Sequence, residues 1–213
     1  MQIAKLIVAA TLVMCSLPAA MAQGSDPIVM LQTTRGNIVI RVYRGLVPYT
    51  AGNFLDLVSR GFYNGLTFHR IETWCIQGGD PNGNGTGDFV DPQTGQTRYL
   101  NLEISPALHH NAAGVVAMAR SQNPNSASCQ FYITKSPVPQ LDRQYAIFGG
   151  VVDGINVVRS IGRGDRIISA QIIENGGGGG RAGGMSQQQG FQQQRRGNGT
   201  SASNAGTPTD SGF

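Results

Sequence analysis

The hydrophobic pattern of this chain consists mainly of short runs rich in β-branched residues. Two of them, residues 28–34 and 37–43, are separated by a two-residue turn and predict a β-hairpin. The apolar residues that follow recur at helical spacing from Pro48 to Arg60, and Gly61 comes directly after them. This segment therefore predicts an amphipathic helix that packs on a core.

The rest of the apolar pattern predicts further strands and one more helix. The helix is predicted at residues 155–161, where Gly162 ends it. Strands and helices do not alternate along the chain, so the pattern predicts a mainly β fold of about eight strands, an antiparallel barrel or sandwich capped by two helices. The six further strands are predicted at residues 66–71, 74–77, 114–119, 130–134, 146–152 and 166–173.

The first 22 residues have the pattern of a secretory signal peptide. A short positive start with Lys5 precedes an apolar run of 12 residues, and small residues at Ala20 and Ala22 predict cleavage before Gln23. A membrane anchor is the alternative, but spanning a bilayer takes about 20 apolar residues. We therefore expect an exported protein, periplasmic or extracellular, with no stable membrane anchor after cleavage.

The last 38 residues, 176–213, differ in composition from the rest of the chain. They contain no Val, Ile or Leu, and glycine and glutamine dominate them. Such a segment buries too little apolar area to offset a backbone entropy of about 1–2 kcal/mol per residue, so we predict a disordered tail. The folding unit is then residues 23–175. Its net charge is only +1, from 12 basic and 11 acidic side chains, and the basic pI of 9.2 does not indicate a nucleic-acid partner.

The sequence does not predict a metal site or a cofactor site from its histidine, cysteine or glycine residues. The three histidines, at positions 69, 109 and 110, lack cysteine or carboxylate neighbours at the spacing of metal ligands. The glycines of residues 78–88 lack the spacing of a dinucleotide-binding loop. After signal cleavage the chain keeps Cys75 and Cys129, which form either one disulfide or two buried thiols.

A few polar residues stand inside or at the ends of the predicted apolar strands. By the period-two rule, Arg70 lies on the same strand face as Leu66 and Phe68, so its guanidinium points along an apolar row. A single polar residue in such a position usually has a structural role, as part of a surface ion pair or in contact with solvent. Taken together they indicate an apolar pocket with a few placed hydrogen-bonding groups. The residues of this predicted pocket are Arg70, Gln77, Gln130, Trp74 and Met118.

Three long stretches of the chain resemble the cyclophilin family of peptidylprolyl cis-trans isomerases. They read FHRIETWCIQGGDPNGNGTG from Phe68, VAMARSQNPNSASCQFYIT from Val116 and LDRQYAIFGGVVDG from Leu141. The resemblance extends over almost all of residues 27–174. It implies a closed eight-stranded antiparallel β-barrel capped by two α-helices. It also implies isomerase activity on X-Pro bonds that assists protein folding, with no cofactor, proline-containing polypeptides as partners, and action as a monomer.

The resemblance also assigns roles to single residues. Arg70 looks like the family's catalytic arginine, with Gln77 and Gln130 beside it to orient the peptide backbone. The resemblance further implies substrate contacts from Trp74, Cys75, Met118, Ala119, Arg120, Tyr132, Leu141 and Tyr145.

Several positions depart from the family pattern. Trp74 and Tyr132 stand where the family usually has phenylalanine, and the stretch between Arg70 and Cys75 is one residue shorter than the commonest pattern. These departures leave a second interpretation open, in which the domain binds proline peptides with little turnover. Gln140 stands where cyclosporin-sensitive members carry tryptophan, so we expect weak cyclosporin binding.

The resemblance also places both cysteines of the mature chain beside the pocket. Cys75 follows Trp74, and Cys129 precedes Gln130. In the oxidising compartment that a signal peptide implies, this arrangement predicts a disulfide that joins two pocket strands.

Overall fold

The computed structural model describes residues 26–173. The predicted signal segment 1–22 and the predicted tail 176–213 lie outside these residues. Within the described range, no helix is long and apolar enough to cross a membrane. The strands are β1 (Ile28–Thr33), β2 (Gly36–Val42), β3 (Arg70–Ile71), β4 (Cys75–Gly78), β5 (Val115–Met118), β6 (Phe131–Thr134), β7 (Ile147–Asp153) and β8 (Ile167–Ile173). The helices are α1 (Pro48–Ser59), α2 (Ile155–Ser160) and a short 3-10 helix (Pro139–Leu141).

The predicted hairpin and the predicted first helix are confirmed. Strands β1 and β2 pair in antiparallel register from Ile28 opposite Arg41 to Thr33 opposite Gly36. The turn between them ends at Gly36, whose φ of +127° lies in a region that side chains disfavour. Helix α1 starts at Pro48, whose missing N–H costs nothing at a first helical position.

The start of α1 is completed by a residue far away in the sequence. Val47, which precedes the helix, has no side-chain oxygen that could cap it. The carboxylate of Glu103 accepts hydrogen bonds from the Tyr49 N–H at 3.3 Å and the Thr50 N–H at 2.7 Å. A negative charge at this end also interacts favourably with the helix dipole. The chain therefore supplies the missing cap from a loop rather than from the helix itself.

All eight strands form one antiparallel sheet in the order β3-β4-β6-β5-β7-β2-β1-β8. The end strands β3 and β8 do not pair with each other, so the eight strands form an open half-barrel instead of the closed barrel that the resemblance implies. The reason is that β3 has only two residues. An isolated antiparallel bridge, Thr67 opposite Arg166, joins the segments next to β3 and β8. The chain before β3 runs beside β8 outside any strand, and there the Gly65 N–H donates to the Ile167 carbonyl at 2.7 Å.

The two faces of the central strands β4, β5 and β6 have different surroundings. Alternate residues on one face, such as Ile76 and Ile133, belong to the main core. Phe54 of α1 enters this core and lies 4.8 Å from the ring of Phe148, so α1 covers what we call the inner face. The residues between them point to the opposite, outer face, because side chains alternate along a strand. A second, smaller apolar cluster lies on this outer face.

Candidate active site

The candidate site lies on the outer face of β4, β5 and β6. Cys75, Ala117 and Tyr132 are the buried strand residues of the second apolar cluster, and Ile147 of β7 joins them. Partly buried side chains pack against this cluster, and four of them are residues predicted to contact substrate. These four residues are Trp74, Ala119, Leu141 and Tyr145, which lie around the buried Tyr132.

Arg70, Gln77 and Gln130 form one hydrogen-bonded row. Arg70 stands opposite Gln77 in the β3–β4 pair, and its Nη1 donates to the Gln77 side-chain oxygen at 3.0 Å. The Gln77 amide nitrogen then donates to the Gln130 side-chain oxygen at 2.9 Å. The Gln130 amide nitrogen donates to the carbonyls of Gly85 at 3.1 Å and Gly87 at 2.9 Å. The three predicted catalytic residues are therefore brought together and held in a single orientation.

The Arg70 guanidinium keeps one nitrogen available. Its Nε donates to Glu72 at 3.2 Å and its Nη1 to Gln77, whereas Nη2 makes no hydrogen bond to the residues that the structure describes. The Arg70 side chain is 44% exposed, so Nη2 can reach a ligand. Because arginine stays protonated at every accessible pH, this site presents a fixed hydrogen-bond donor with a positive charge.

The period-two argument for Arg70 is wrong. Phe68 and the next residue, His69, are both buried, whereas Arg70 is exposed, so burial does not alternate along this segment. The predicted strand 66–71 exists only at Arg70 and Ile71. Phe68 packs in the main core, whereas Arg70 lies at the surface.

Aromatic rings surround the second cluster. The ring of Tyr132 lies edge-on to Trp74 at 5.7 Å and to Tyr145 at 5.8 Å. The guanidinium carbon of Arg70 is 5.6 Å from the Trp74 ring centre, so the cation and the apolar wall meet. Such edge-to-face and cation contacts favour one arrangement of the rings. The result is a small apolar wall next to a charged donor.

The shortened stretch between Arg70 and Cys75 explains the position of Trp74. Glu72 donates its N–H to the Cys75 carbonyl at 2.9 Å, which closes a two-residue turn between β3 and β4. Trp74 is in this turn and packs on the second cluster. Because this stretch is one residue shorter, β3 and β4 are joined by a tight hairpin turn. The Trp74 ring in this turn packs against the ring of Tyr132.

A cavity of about 300 Å³ opens beside the hydrogen-bonded row. Its lining includes Gln77 and Gln130 of the row and also Ala119 and Arg120. The Arg120 guanidinium carbon lies 4.6 Å from the Tyr145 ring centre, so Arg120 separates the cavity from the aromatic wall. Tyr99 also lines the cavity and was not predicted, because a single exposed tyrosine in a loop carries no motif.

Besides Tyr132, which is 3% exposed, two predicted contact residues are buried. Met118 is 1% exposed and belongs to the main core on the inner face, so its prediction as a contact residue is wrong for this structure. Cys75 is fully buried under the aromatic wall. Both side chains support the site from within the protein instead of touching its surface.

The predicted disulfide between Cys75 and Cys129 is wrong. Both cysteines are free and buried. Cys75 stands opposite Thr134, which is five residues from Cys129, and at about 3.3 Å per residue this separation is far beyond the reach of a disulfide, about 7 Å between Cα atoms. Cys75 also faces the outer cluster, whereas Cys129 faces the main core.

Neither thiol is set up as a nucleophile. Burial raises the pKa of Cys75 to about 11 and the pKa of Cys129 to about 12. The thiolate is the reactive form, and at neutral pH both groups stay protonated. Burial also raises the pKa of Tyr132, so its hydroxyl stays neutral. In residues 26–173, no three His, Cys, Asp or Glu side chains form a group that could hold a metal ion.

Comparison with known proteins identifies the family. The family model of the cyclophilin type peptidyl-prolyl cis-trans isomerases matches residues 28–177. The chain belongs to the cyclophilin family. It is therefore a peptidyl-prolyl cis-trans isomerase, as curated relatives of this domain are also named.

Two curated relatives and two solved structures illustrate the similarity. A peptidyl-prolyl cis-trans isomerase-like 1 of Rhizopus delemar is 44% identical over 135 residues, which cover 63% of this chain and 79% of that protein. An isomerase of Schizosaccharomyces pombe is 43% identical over 138 residues, 63% of this chain and 84% of that protein. A crystal structure of a Cryptosporidium parvum cyclophilin type isomerase is 31% identical, with a TM-score of 0.64, and the match covers 70% of this chain and 99% of that one. The same parasite protein crystallised with the dipeptide Ala-Pro is 32% identical, with a TM-score of 0.63 and the same coverage.

Proposed function

We propose that this cyclophilin is exported and, as a monomer, accelerates rotation about X-Pro bonds in other exported proteins, which assists their folding. The observation that carries the proposal is the row from Arg70 through Gln77 to Gln130, which ends beside the wall of Trp74 and Tyr132. A fixed cation next to an apolar wall suits a ligand that combines a polar amide with a proline ring. The crystal structure of the Cryptosporidium relative in the presence of the dipeptide Ala-Pro supports a proline-containing ligand.

The chemical task is rotation about an amide bond, whose barrier is about 18–20 kcal/mol. Without a catalyst the exchange takes tens to hundreds of seconds at 25 °C. Rotation breaks the resonance of the amide, so the proline nitrogen becomes pyramidal and gains a lone pair. A donor that reaches this nitrogen or the prolyl carbonyl therefore binds the twisted amide more tightly than the planar one, which lowers the barrier.

Arg70 is the residue placed to act as this donor. Glu72 and Gln77 occupy two of its guanidinium nitrogens and hold the side chain, while Nη2 points to no protein partner among the described residues. A preorganised donor of this kind costs little reorganisation during the reaction. Lowering the barrier by about 7 kcal/mol corresponds to a rate gain of about 10⁵.

The other site residues hold the substrate while the bond turns. Trp74, Tyr132 and Leu141 form the apolar wall for the proline ring, and Gln77 and Gln130 orient the backbone beside it. No covalent intermediate is needed, because rotation makes and breaks no bond between heavy atoms. The buried, protonated thiols of this site agree with such a mechanism.

Catalysis is tested by exchange spectroscopy on a tetrapeptide that contains one X-Pro bond. We expect the mature chain, residues 23–213, at about one hundredth of the peptide concentration, to speed cis-trans exchange into the range of seconds or faster. A protein that only binds the peptide would shift its signals at equal concentration without accelerating exchange. That result would support the low-turnover interpretation and contradict the proposed catalytic site.

Export is tested by expressing the full chain, with its own N-terminus, in a bacterium. The 12-residue apolar run and the small residues at Ala20 and Ala22 support cleavage before Gln23. We expect the protein in the periplasm or medium, with a mass that corresponds to residues 23–213. A matched variant with Leu6→Asp and Leu17→Asp should stay in the cytoplasm uncleaved. Recovery of the unaltered, uncleaved chain from the cytoplasm would contradict export.

A further inference from the structure

A second hydrogen-bonded row connects the aromatic wall to an acidic residue at the surface. The Tyr132 hydroxyl lies 2.8 Å from Nε2 of His110. Nδ1 of the same imidazole lies 2.9 Å from Asp142, whose carboxylate also accepts the His110 backbone N–H at 2.6 Å. His110 is fully buried and Tyr132 is 3% exposed, so this row is shielded from water.

The direction of the protons in this row follows from Asp142. Burial alone would raise the pKa of Asp142, but hydrogen bonds from the His110 backbone and from the rings of His109 and His110 outweigh it and hold the pKa at about 2. The carboxylate is therefore an acceptor, and Nδ1 of His110 carries the proton that it accepts. Nε2 of the neutral imidazole is then an acceptor, so the Tyr132 hydroxyl donates to it.

We propose that His110 is a positioning residue for the isomerisation: its Nε2 accepts from the Tyr132 hydroxyl and thereby fixes the ring that forms the wall of the proline site. This inference rests on the proposed role of Tyr132 in that wall. Phenylalanine at the same position would pack similarly, but no hydrogen bond would hold the end of its ring. In this chain, the Tyr132 hydroxyl is hydrogen-bonded to His110. His110 in turn bonds Asp142, the residue that directly follows the 3-10 helix Pro139–Leu141.

The same row makes the position of Tyr132 dependent on pH. Burial lowers the pKa of His110, and the hydrogen bond and charge of Asp142 oppose this only in part, while His109 lowers it further. When His110 is protonated, its Nε2 carries a proton and becomes a donor. The Tyr132 hydroxyl must then rotate to accept this hydrogen bond, and its own proton no longer has Nε2 as an acceptor. Because the folded-state pKa lies below the unfolded value, His110 favours folding fully above about pH 6.5, and its contribution is lost as the pH falls through the folded-state pKa.

The other charged or titratable groups that face Tyr132 are Arg120, Tyr145, Cys75 and Asp142, and His109 shares the Asp142 carboxylate with His110. The pKa of Cys75 is about 11 and that of Asp142 is about 2, so neither changes its charge between pH 5 and 8. His69, whose pKa burial also lowers, lies beside Arg70 and can add its own acid step. The test therefore has to remove the Tyr132 hydroxyl and show which acid step disappears.

The experiment is a double-mutant cycle with Tyr132→Phe and His110→Gln, measured as kcat/KM on a proline tetrapeptide from pH 5 to 8. We expect each single variant to lose about fivefold in kcat/KM at pH 8, and the double variant to lose no more than about twofold beyond either one. We also expect the wild type to lose activity toward the acid end of this range, because the pKa of His110 lies below its ordinary value, and Tyr132→Phe to lack most of this step. His109→Gln is the matched control, because His109 shares Asp142 without touching Tyr132. It should keep the rate at pH 8 and still show the acid step, moved slightly upward in pH because His109 lowers the pKa of His110.

The outcomes separate this inference from the proposed function. If the wild type is active but the losses in kcat/KM of the two single variants add up in the double variant, the positioning role of His110 is overturned. An acid step that Tyr132→Phe leaves unchanged overturns it as well. Neither outcome affects the proposed isomerase site. An inactive wild type contradicts the proposed catalytic site itself. If His110→Gln fails to fold, Tyr132→Phe, which keeps the ring volume, still tests the acid step.

Discussion

Replacing Arg70 with alanine should lower kcat/KM at least about 100-fold, because the change removes a preorganised charged donor from the twisted amide. The fold should survive, since the Arg70 side chain is 44% exposed and its ion pair with Glu72 is a surface pair. Such pairs contribute about 0–1 kcal/mol to stability. The free energy of unfolding in urea should therefore change by no more than about 1 kcal/mol.

Two further variants make this test specific. Arg159→Ala removes an exposed arginine of α2 and should leave both rate and stability near the wild type. Arg70→Lys keeps the charge but loses the planar fork that bonds Glu72 and Gln77 together, so it should recover only a small part of the rate. Turnover of Arg70→Ala within about threefold of the wild type would remove Arg70 from its proposed role.

Replacing Asp80 with alanine should destabilise the domain by at least about 3 kcal/mol and abolish most activity. Asp80 is 1% exposed, and its carboxylate accepts the N–H groups of Asn82 at 2.8 Å, Asn84 at 2.8 Å, Gly87 at 2.9 Å and also Gly85. The loss leaves several backbone donors without their acceptor. The same loop presents the Gly85 and Gly87 carbonyls that accept hydrogen bonds from Gln130, so the row from Arg70 to Gln130 loses the groups that hold its end.

The charge of Asp80 gives this prediction a pH dependence. Burial alone would raise the pKa of Asp80, but hydrogen bonds from the backbone of Asn82, Gly85 and Asn84 outweigh it and lower the pKa. Its stabilisation is therefore complete above the unfolded value of about 3.9 and is lost as the pH falls through the lower folded-state pKa.

Urea unfolding at pH 7 measures the effect of Asp80, with Asp153→Ala as the matched control. Asp153 is exposed and accepts a single backbone N–H, that of Gly154, so its loss should cost less than about 1 kcal/mol. Asp80→Asn keeps the shape without the charge and should fall between the two. Equal stabilities for Asp80→Ala and Asp153→Ala would contradict the anchoring role.

The pattern of apolar and polar residues correctly predicted those strands and helices whose formation depends mainly on residues close together in the sequence. The β1–β2 hairpin and α1 were predicted almost to their ends, because alternation, turn residues and helical spacing all agree there. The strand predicted at 66–71 was wrong for most of its length, because residues 66–69 lie outside the named strands and the backbone groups of Leu66 and Phe68 bond residues 164–167 instead. The Glu103 cap of α1 likewise could not be predicted, since more than 50 residues separate the partners.

The chemistry of the site came from the family motifs, and its arrangement came from the fold. Arg70, Gln77 and Gln130 were named through the resemblance, but their hydrogen bonds depend on the pairing of β3, β4 and β6. Glu72 and Tyr99 carried no signal and were missed. The disulfide prediction failed because adjacency to pocket residues in sequence does not say which face of a strand a cysteine occupies.

The sequence by itself determined the number of strands and helices, the family and the candidate catalytic arginine, because these depend on local periodicity and on long motifs. Only the tertiary structure decided that the sheet is open between β3 and β8, that Met118 points inward, and that His110 lies behind Tyr132. The physical reason is that strand register, and the face each side chain takes, follow from pairing between segments far apart in the chain.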